Sequence, residues 1–148
     1  MASEVAVIAG AGAGLSASLA RLLTKEGYRV VLAARNTAKL APLVEETGAL
    51  AVETDVADPA SVTSLFKASD KQGPLALAVF NASGRTRGPF VDLVPADVAQ
   101  AIAVSAFGGF LVAQQAARRM LPNKHGAILF TGASASVKGY AQSASFAM

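Results

Sequence analysis

The chain has 148 residues, of which 53% are hydrophobic and 16% charged, and its formal net charge is +3. This composition indicates one globular domain with a sizeable core and excludes a disordered chain. The basic residues are scattered, with Arg118 and Arg119 as the only adjacent pair, so no nucleic-acid partner is expected. No cysteine and a single histidine leave no basis for a disulfide or a metal site.

The same features bear on localisation. A chain without cysteine fits a reducing, cytoplasmic compartment. Glu4 stands where a signal peptide has basic residues, and glycines interrupt the apolar run that follows. We therefore expect neither an export signal nor a membrane span.

The first stretch predicts a strand, a glycine-rich turn and a helix. The apolar run Val5–Ala9 is typical of a buried parallel strand, and Gly10, Gly12 and Gly14 follow it. Glycine lets the backbone turn sharply and lets a pyrophosphate approach, while the N-terminus of the helix that begins near Leu15 attracts negative charge. A plain structural turn is the alternative, but a second strand at 29–33 completes a βαβ unit and favours a dinucleotide site.

Strands and helices continue to alternate along the chain. The predicted elements are a helix at 37–47 with Thr37 as its N-cap, a strand at 49–53, a helix that begins at Asp58 and Pro59, a strand at 75–80, a helix at 95–120 and a strand at 126–131. Short connections between them predict a single α/β domain over residues 1–148, with a doubly wound parallel sheet in the order 3-2-1-4-5 and helices on both faces.

The long helix at 95–120 has two predicted properties. Its expected buried positions are Val98, Ile102, Val104, Phe107, Leu111 and Val112. The two glycines at 108 and 109 lie in its middle, where glycine costs about 1 kcal/mol each relative to alanine. We expect them to allow close packing against the sheet or a partner subunit, and we expect a homo-oligomer that forms through the long helices.

Three motifs carry a family resemblance. Gly10, Gly14 and Ser16 occupy the glycine positions of a Thr-Gly-x-x-x-Gly-x-Gly turn. The pair at Asp55 and Val56 follows the third strand, and the turn after the fourth strand reads Asn81, Ala82, Ser83, Gly84, similar to Asn-Asn-Ala-Gly. In this order the motifs resemble the short-chain dehydrogenases/reductases. The resemblance implies a Rossmann-like fold and hydride transfer between NAD(P)(H) and a small carbonyl, alcohol or related substrate. It also implies that Asp55 and Val56 hold the adenine and that the turn at 81–84 lines the cofactor.

The end of the second strand bears on the choice of cofactor. Enzymes that prefer NAD place an acidic residue there, whereas a basic one accommodates a 2′-phosphate. This chain has Arg35 and Asn36 instead of an acid, and a guanidinium can pair with a phosphate through two N–H groups. An ordinary surface arginine is the alternative. We expect NADP(H) to be preferred over NAD(H).

The catalytic positions depart from the family's pattern. Aligned without gaps, the family's serine falls on Ala133, its tyrosine on Phe146 and its asparagine on Ser105. Neither Ala133 nor Phe146 can move a proton. Ser134 and Tyr140 lie nearby and are the alternative catalytic hydroxyls, although a local loop hydrogen bond is the simpler interpretation for Ser134.

Two functions therefore remain open: an oxidoreductase with relocated catalytic groups, or a nucleotide-binding pseudoenzyme that acts through protein interactions. The family's lysine would follow Met148, together with further strands, so we expect a longer natural chain. The aromatic residues Phe90, Tyr140 and Phe146 suggest an apolar or aromatic substrate.

Overall fold

The computed structural model describes residues 3–148, which form a five-stranded parallel sheet in the order β3-β2-β1-β4-β5. The strands are β1 Val5–Ala9, β2 Arg29–Ala34, β3 Leu50–Glu53, β4 Leu75–Phe80 and β5 Ala127–Phe130. The doubly wound fold expected from the sequence is thus confirmed. The strands are added outward in one direction from β1 to β3 and in the other from β4 to β5, so the strand order reverses between β1 and β4, which is where open α/β sheets form a ligand crevice.

Six α-helices connect and follow the strands. They are α1 Leu15–Lys25, α2 Ala41–Thr47, α3 Pro59–Asp70, α4 Pro95–Ile102, α5 Gly108–Met120 and the short α6 Ala144–Ala147. A 3-10 turn over Thr37–Leu40 precedes α2, and a π-helical segment over Ala103–Phe107 joins α4 to α5.

The core lies on both faces of the sheet because alternate residues of each strand point in opposite directions. Val5, Val7 and Ala9 of β1 pack with α3 and α5 on one face. Ala6 and Ile8 pack with α1 and α2 on the other. All five residues of β1 have no exposed surface, so this strand is the centre of the fold.

The helix starts follow local side-chain chemistry. Asp58 caps α3, because its carboxylate accepts hydrogen bonds from the backbone N–H groups of Ala60 and Ser61, and Pro59 follows as the first helical residue. The predicted cap at Thr37 is wrong. Asn36 has the extended backbone of a cap and its Oδ1 accepts from Ala38 N over 3.1 Å, so the helical turn begins one residue earlier.

The predicted helix at 95–120 is divided by the π-helical segment, and two of its expected buried residues are exposed. Ile102 is 41% exposed and Phe107 is 45% exposed, and Phe107 stacks on Phe110 at a ring separation of 6.2 Å. A π-turn inserts an extra residue and so rotates the apolar face. Gly109 packs against the sheet as expected, because a Cβ there would lie 3.4 Å from Phe80 of β4, and a Cβ on Gly108 would lie 3.0 Å from Val56 in the loop after β3.

The combined helical stretch Pro95–Asn123 is long and apolar enough to cross a membrane by length and composition, with a mean hydropathy of 1.6 in its most apolar window. Part of this apolar character has another explanation. Leu111, Val112, Ala116 and Met120 of α5 are buried in the core beside β4.

Candidate functional site

The glycine-rich turn lies at the carboxyl end of β1, beside the turn that follows β4. Gly10 has a φ of +88°, and a Cβ there would lie 2.3 Å from the backbone nitrogen of Ala82. Only glycine fits this position. A Cβ on Gly12 or Gly14 would meet nothing within 4 Å, so these two residues keep the outer surface of the turn open.

Ser16 connects the two turns. Its Oγ donates to the carbonyl oxygen of Gly10 over 3.1 Å and accepts from Nδ2 of Asn81 over 2.7 Å. Ser16 is 1% exposed, so its hydroxyl is buried, while its partners Gly10 and Asn81 are half-buried. The sequence showed Ser16 only as a replacement for a glycine. Its contact with Asn81, which is far away in the chain, had no sequence signal.

A cavity of about 470 Å³ opens above the carboxyl ends of β1, β2 and β4. Its lining includes these predicted cofactor-binding residues: Gly10, Gly12, Arg35, Asn36, Asp55, Val56, Asn81, Ala82 and Ser83. We call it the first cavity. Of the other predicted residues, Leu15 lines the second cavity described below, Gly84 lines a third, and Gly14 lines none of them. These cofactor assignments stay predictions.

One end of the first cavity is basic. Arg35 is exposed at the end of β2, and Lys39 lines the same cavity from the following 3-10 turn. Lys39 was missed in the sequence analysis, although it lies only four residues after Arg35. On the opposite side, Asp55 is held by two bonds: its Oδ1 accepts from Ala57 N, and its own N–H donates to Ser61 Oγ, each over 2.9 Å.

A second cavity of about 510 Å³ shares Asn81, Ala82 and Ser83 with the first. Its lining also includes the three positions matched to the family's catalytic residues, Ser105, Ala133 and Phe146. Ser105 lies in the π-helical segment, and its Oγ accepts from Gly84 N over 2.9 Å and lies 3.4 Å from Gly84 O. Its hydroxyl thus supports the turn that separates the two cavities.

The alternative catalytic hydroxyls lie elsewhere. Ser134 Oγ and Tyr140 OH are 2.7 Å apart in an exposed loop, and Lys138 Nζ is 5.6 Å from the Tyr140 ring centre. Neither hydroxyl residue lines the first or the second cavity. The structure thus brings Ser134 and Tyr140 together, but not with Ser105, and a catalytic role for this pair stays a prediction.

Of the three aromatic residues expected to contact the substrate, only one lines the second cavity. Phe146 lines the second cavity, where the Arg85 guanidinium carbon lies 3.8 Å from its ring centre. Phe90 is 79% exposed and Tyr140 is 47% exposed, and neither lines that cavity. Two aromatic residues that the sequence did not single out, Phe80 and Phe130, line it instead.

Comparison with known proteins identifies the family. A family profile described as short chain dehydrogenase matches residues 4–147. The chain belongs to this family. It is 35% identical over 135 residues to short chain aldehyde dehydrogenase 1 of Euphorbia lathyris, a match that covers 86% of this chain and 47% of that protein. The chain spans about half the length of the curated relatives it matches.

Solved structures of the short-chain dehydrogenase family have the same fold. A short-chain dehydrogenase from Rhodopseudomonas palustris aligns with a TM-score of 0.89 and 32% identity, over 97% of this chain and 70% of that one. A variant of actinorhodin polyketide ketoreductase with NADPH aligns with a TM-score of 0.92 and 27% identity, over 98% of this chain and 59% of that one.

The residues of the first cavity fit the NAD(P) cofactors that this family binds. Gly12 and Gly14 leave open space beside the N-terminus of α1, whose first N–H groups have no partner within the helix. In the described part of the chain, no side chain caps that helix. Space, free donors and nearby cations together match a pyrophosphate-containing ligand.

Proposed function

We propose that this short-chain dehydrogenase is part of an NADP(H)-dependent oxidoreductase that interconverts a small carbonyl compound and the corresponding alcohol. The observation that supports it best is the first cavity, which combines an open glycine turn at β1 with two cations, Arg35 and Lys39, at the end of β2. The bound cofactor would supply or accept the hydride. The similarity to a ketoreductase with NADPH supports the same proposal.

Each part of the cavity has a role in this proposal. The N–H groups at the start of α1 would bind the pyrophosphate, and Arg35 with Lys39 would bind the 2′-phosphate that distinguishes NADP from NAD. Asp55 and Val56 would hold the adenine. The turn at 81–84 would position the nicotinamide at the boundary with the second cavity, because that turn lines both cavities.

A second function, nucleotide binding without efficient catalysis, is favoured by one observation. The residues that line the second cavity include no tyrosine, histidine, aspartate or glutamate, and Ala133 and Phe146 stand where the family has its hydroxyl groups. Proton transfer needs a group within hydrogen-bonding reach of the substrate. This chain lacks one at those positions.

Titration of the purified protein with NADPH and with NADH, followed by cofactor fluorescence, tests the proposal. We expect NADPH to bind at least tenfold more tightly, because charge-assisted hydrogen bonds to a phosphate contribute about 1.5–3 kcal/mol. Binding of neither cofactor to folded protein would contradict both functions. Tighter binding of NADH would contradict the NADP preference alone.

A further inference from the structure

The second cavity contains a single charged side chain. Among the described residues that line it, Arg85 alone has a charged side chain, and the walls around it are largely apolar, with Phe80, Ile102, Phe130 and Phe146. Several polar side chains in the lining are already engaged. Asn81 donates to Ser16, Ser105 bonds to Gly84, and Ser136 Oγ donates to Ala133 O over 2.9 Å. Arg85 is therefore the strongest polar group that the cavity offers to a ligand.

Arg85 is held in place from both sides along the chain. Its guanidinium carbon lies 3.8 Å from the Phe146 ring centre, a separation typical of a cation on a ring face. The next residue, Thr86, is fixed to Ser145, whose buried Oγ donates to Thr86 O over 2.9 Å and accepts from Thr86 N over 3.2 Å. The preceding Gly84 packs so closely that a Cβ would lie 2.7 Å from Ala101 Cα. Arg85 is itself exposed, so this support reduces only the backbone part of the ordering cost of binding a ligand.

Within residues 3–148, Arg85 has no carboxylate partner. The three ion pairs in this range join Arg21 to Glu46, Arg119 to Asp70, and His125 to Glu4. Asp97 lines the neighbouring third cavity together with Arg85, but the two side chains form no ion pair. The guanidinium N–H groups of Arg85 are thus not committed to an acidic side chain of the described chain.

We propose that Arg85 binds a carboxylate of the substrate, and that the substrate class is a keto acid or hydroxy acid with an apolar body. This inference rests on the proposed function, because it takes the second cavity as the substrate site. The ring of Phe146 covers one face of the Arg85 guanidinium. The N–H edge of the guanidinium can form the paired hydrogen bonds that a planar carboxylate accepts. A carboxylate has one negative charge, which matches the single positive charge of Arg85. A phosphate monoester carries nearly two negative charges, and the apolar walls offer no partner for the second.

The test compares benzoylformate with its neutral methyl ester, using calorimetric titration of protein saturated with NADPH. We expect the acid to bind roughly tenfold to a hundredfold more tightly than the ester, the range for a charge-assisted hydrogen bond. Arg85→Gln should remove this difference, and Arg85→Lys should retain part of it. Arg87→Gln is the matched control, because Arg87 is exposed in the same loop and lines none of the three cavities.

The outcomes separate this inference from the proposed function. Equal binding of acid and ester to the wild-type protein would overturn the inference while NADPH binding still supports the function, and this comparison does not depend on the folding of any variant. Tighter binding of phenyl phosphate than of benzoylformate would also overturn it. If NADPH does not bind, the proposed function fails, and the same acid and ester titrations on cofactor-free protein still decide the role of Arg85.

Discussion

Ser16 and Asn81 are joined by a hydrogen bond of 2.7 Å that connects the turn after β1 to the turn after β4. These are the two turns between which the first cavity opens. Ser16 also donates to Gly10 O, so one buried hydroxyl forms a hydrogen bond with each of the two turns. The family pattern has a glycine at this position, and here a serine side chain adds a connection that a glycine cannot make.

Replacement of Ser16 should therefore lower the stability of the protein and weaken ligand binding in the first cavity. In Ser16→Ala, the half-buried amide of Asn81 loses its acceptor, and the loss of such a hydrogen bond costs about 0.5–1.5 kcal/mol. Urea unfolding should show that loss, and NADPH affinity should fall with it. Ser18→Ala is the control, since Ser18 is exposed on the same helix. Unchanged stability in Ser16→Ala would show that the bond contributes little.

Two glycines in the same turn should respond differently to substitution. Gly10→Ala should prevent correct folding, because its Cβ would overlap the backbone of Ala82 at 2.3 Å and its φ is +88°. Gly14→Val should fold, since a Cβ there meets nothing within 4 Å, yet it should block the pyrophosphate. Circular dichroism and NADPH titration distinguish the two effects. A folded Gly14→Val protein with normal NADPH affinity would refute the placement of the cofactor.

The basic end of the first cavity should set the choice of cofactor. Arg35→Ala and Lys39→Ala should each weaken NADPH binding by about 1.5–3 kcal/mol at most, because each removes a charge-assisted contact, while NADH binding changes little. Lys25→Ala provides a control for net charge, since Lys25 is exposed at the end of α1 and lines none of the three cavities. Equal losses for both cofactors would mean that Arg35 and Lys39 only support the fold.

Turnover should be limited by the missing proton donor. General acid catalysis contributes roughly a hundredfold to ten-thousandfold, so reduction of simple carbonyl compounds by this chain should be slow even with NADPH bound. Ala133→Ser combined with Phe146→Tyr, in a chain extended to supply the lysine of the family's Tyr-x-x-x-Lys motif, returns both hydroxyls to the second cavity and should raise turnover without altering NADPH affinity. The rate is measured by NADPH absorbance.

The contrary result for turnover is equally informative. If the unmodified protein reduces carbonyl compounds at ordinary enzymatic rates, the gapless alignment does not identify the proton donor. Ser134 and Tyr140 then become the pair to replace, because their hydroxyls already lie 2.7 Å apart. Tyr140→Phe should abolish that activity, whereas Tyr28→Phe should not, because Tyr28 precedes β2 and lines none of the three cavities.

The sequence by itself determined where the strands lie along the chain, where α3 begins and where α2 ends. Buried parallel strands are continuous apolar runs, and the residues that end or begin helices act on their immediate neighbours, as Asp58 does at α3 and Gly48 does at the end of α2, where its φ is +68°. These signals are local. They can therefore be interpreted without knowledge of how the elements pack.

Only the tertiary structure decided which side chains meet. Ser16 with Asn81 and Arg85 with Phe146 are pairs from distant parts of the chain, and no local pattern encodes their distance. The exposure of Phe107 depends on a π-turn that rotates the helix face, and this rotation cannot be inferred from a regular helical period. Such contacts depend on the angles and separations at which helices pack on the sheet, and these are set by the whole core together.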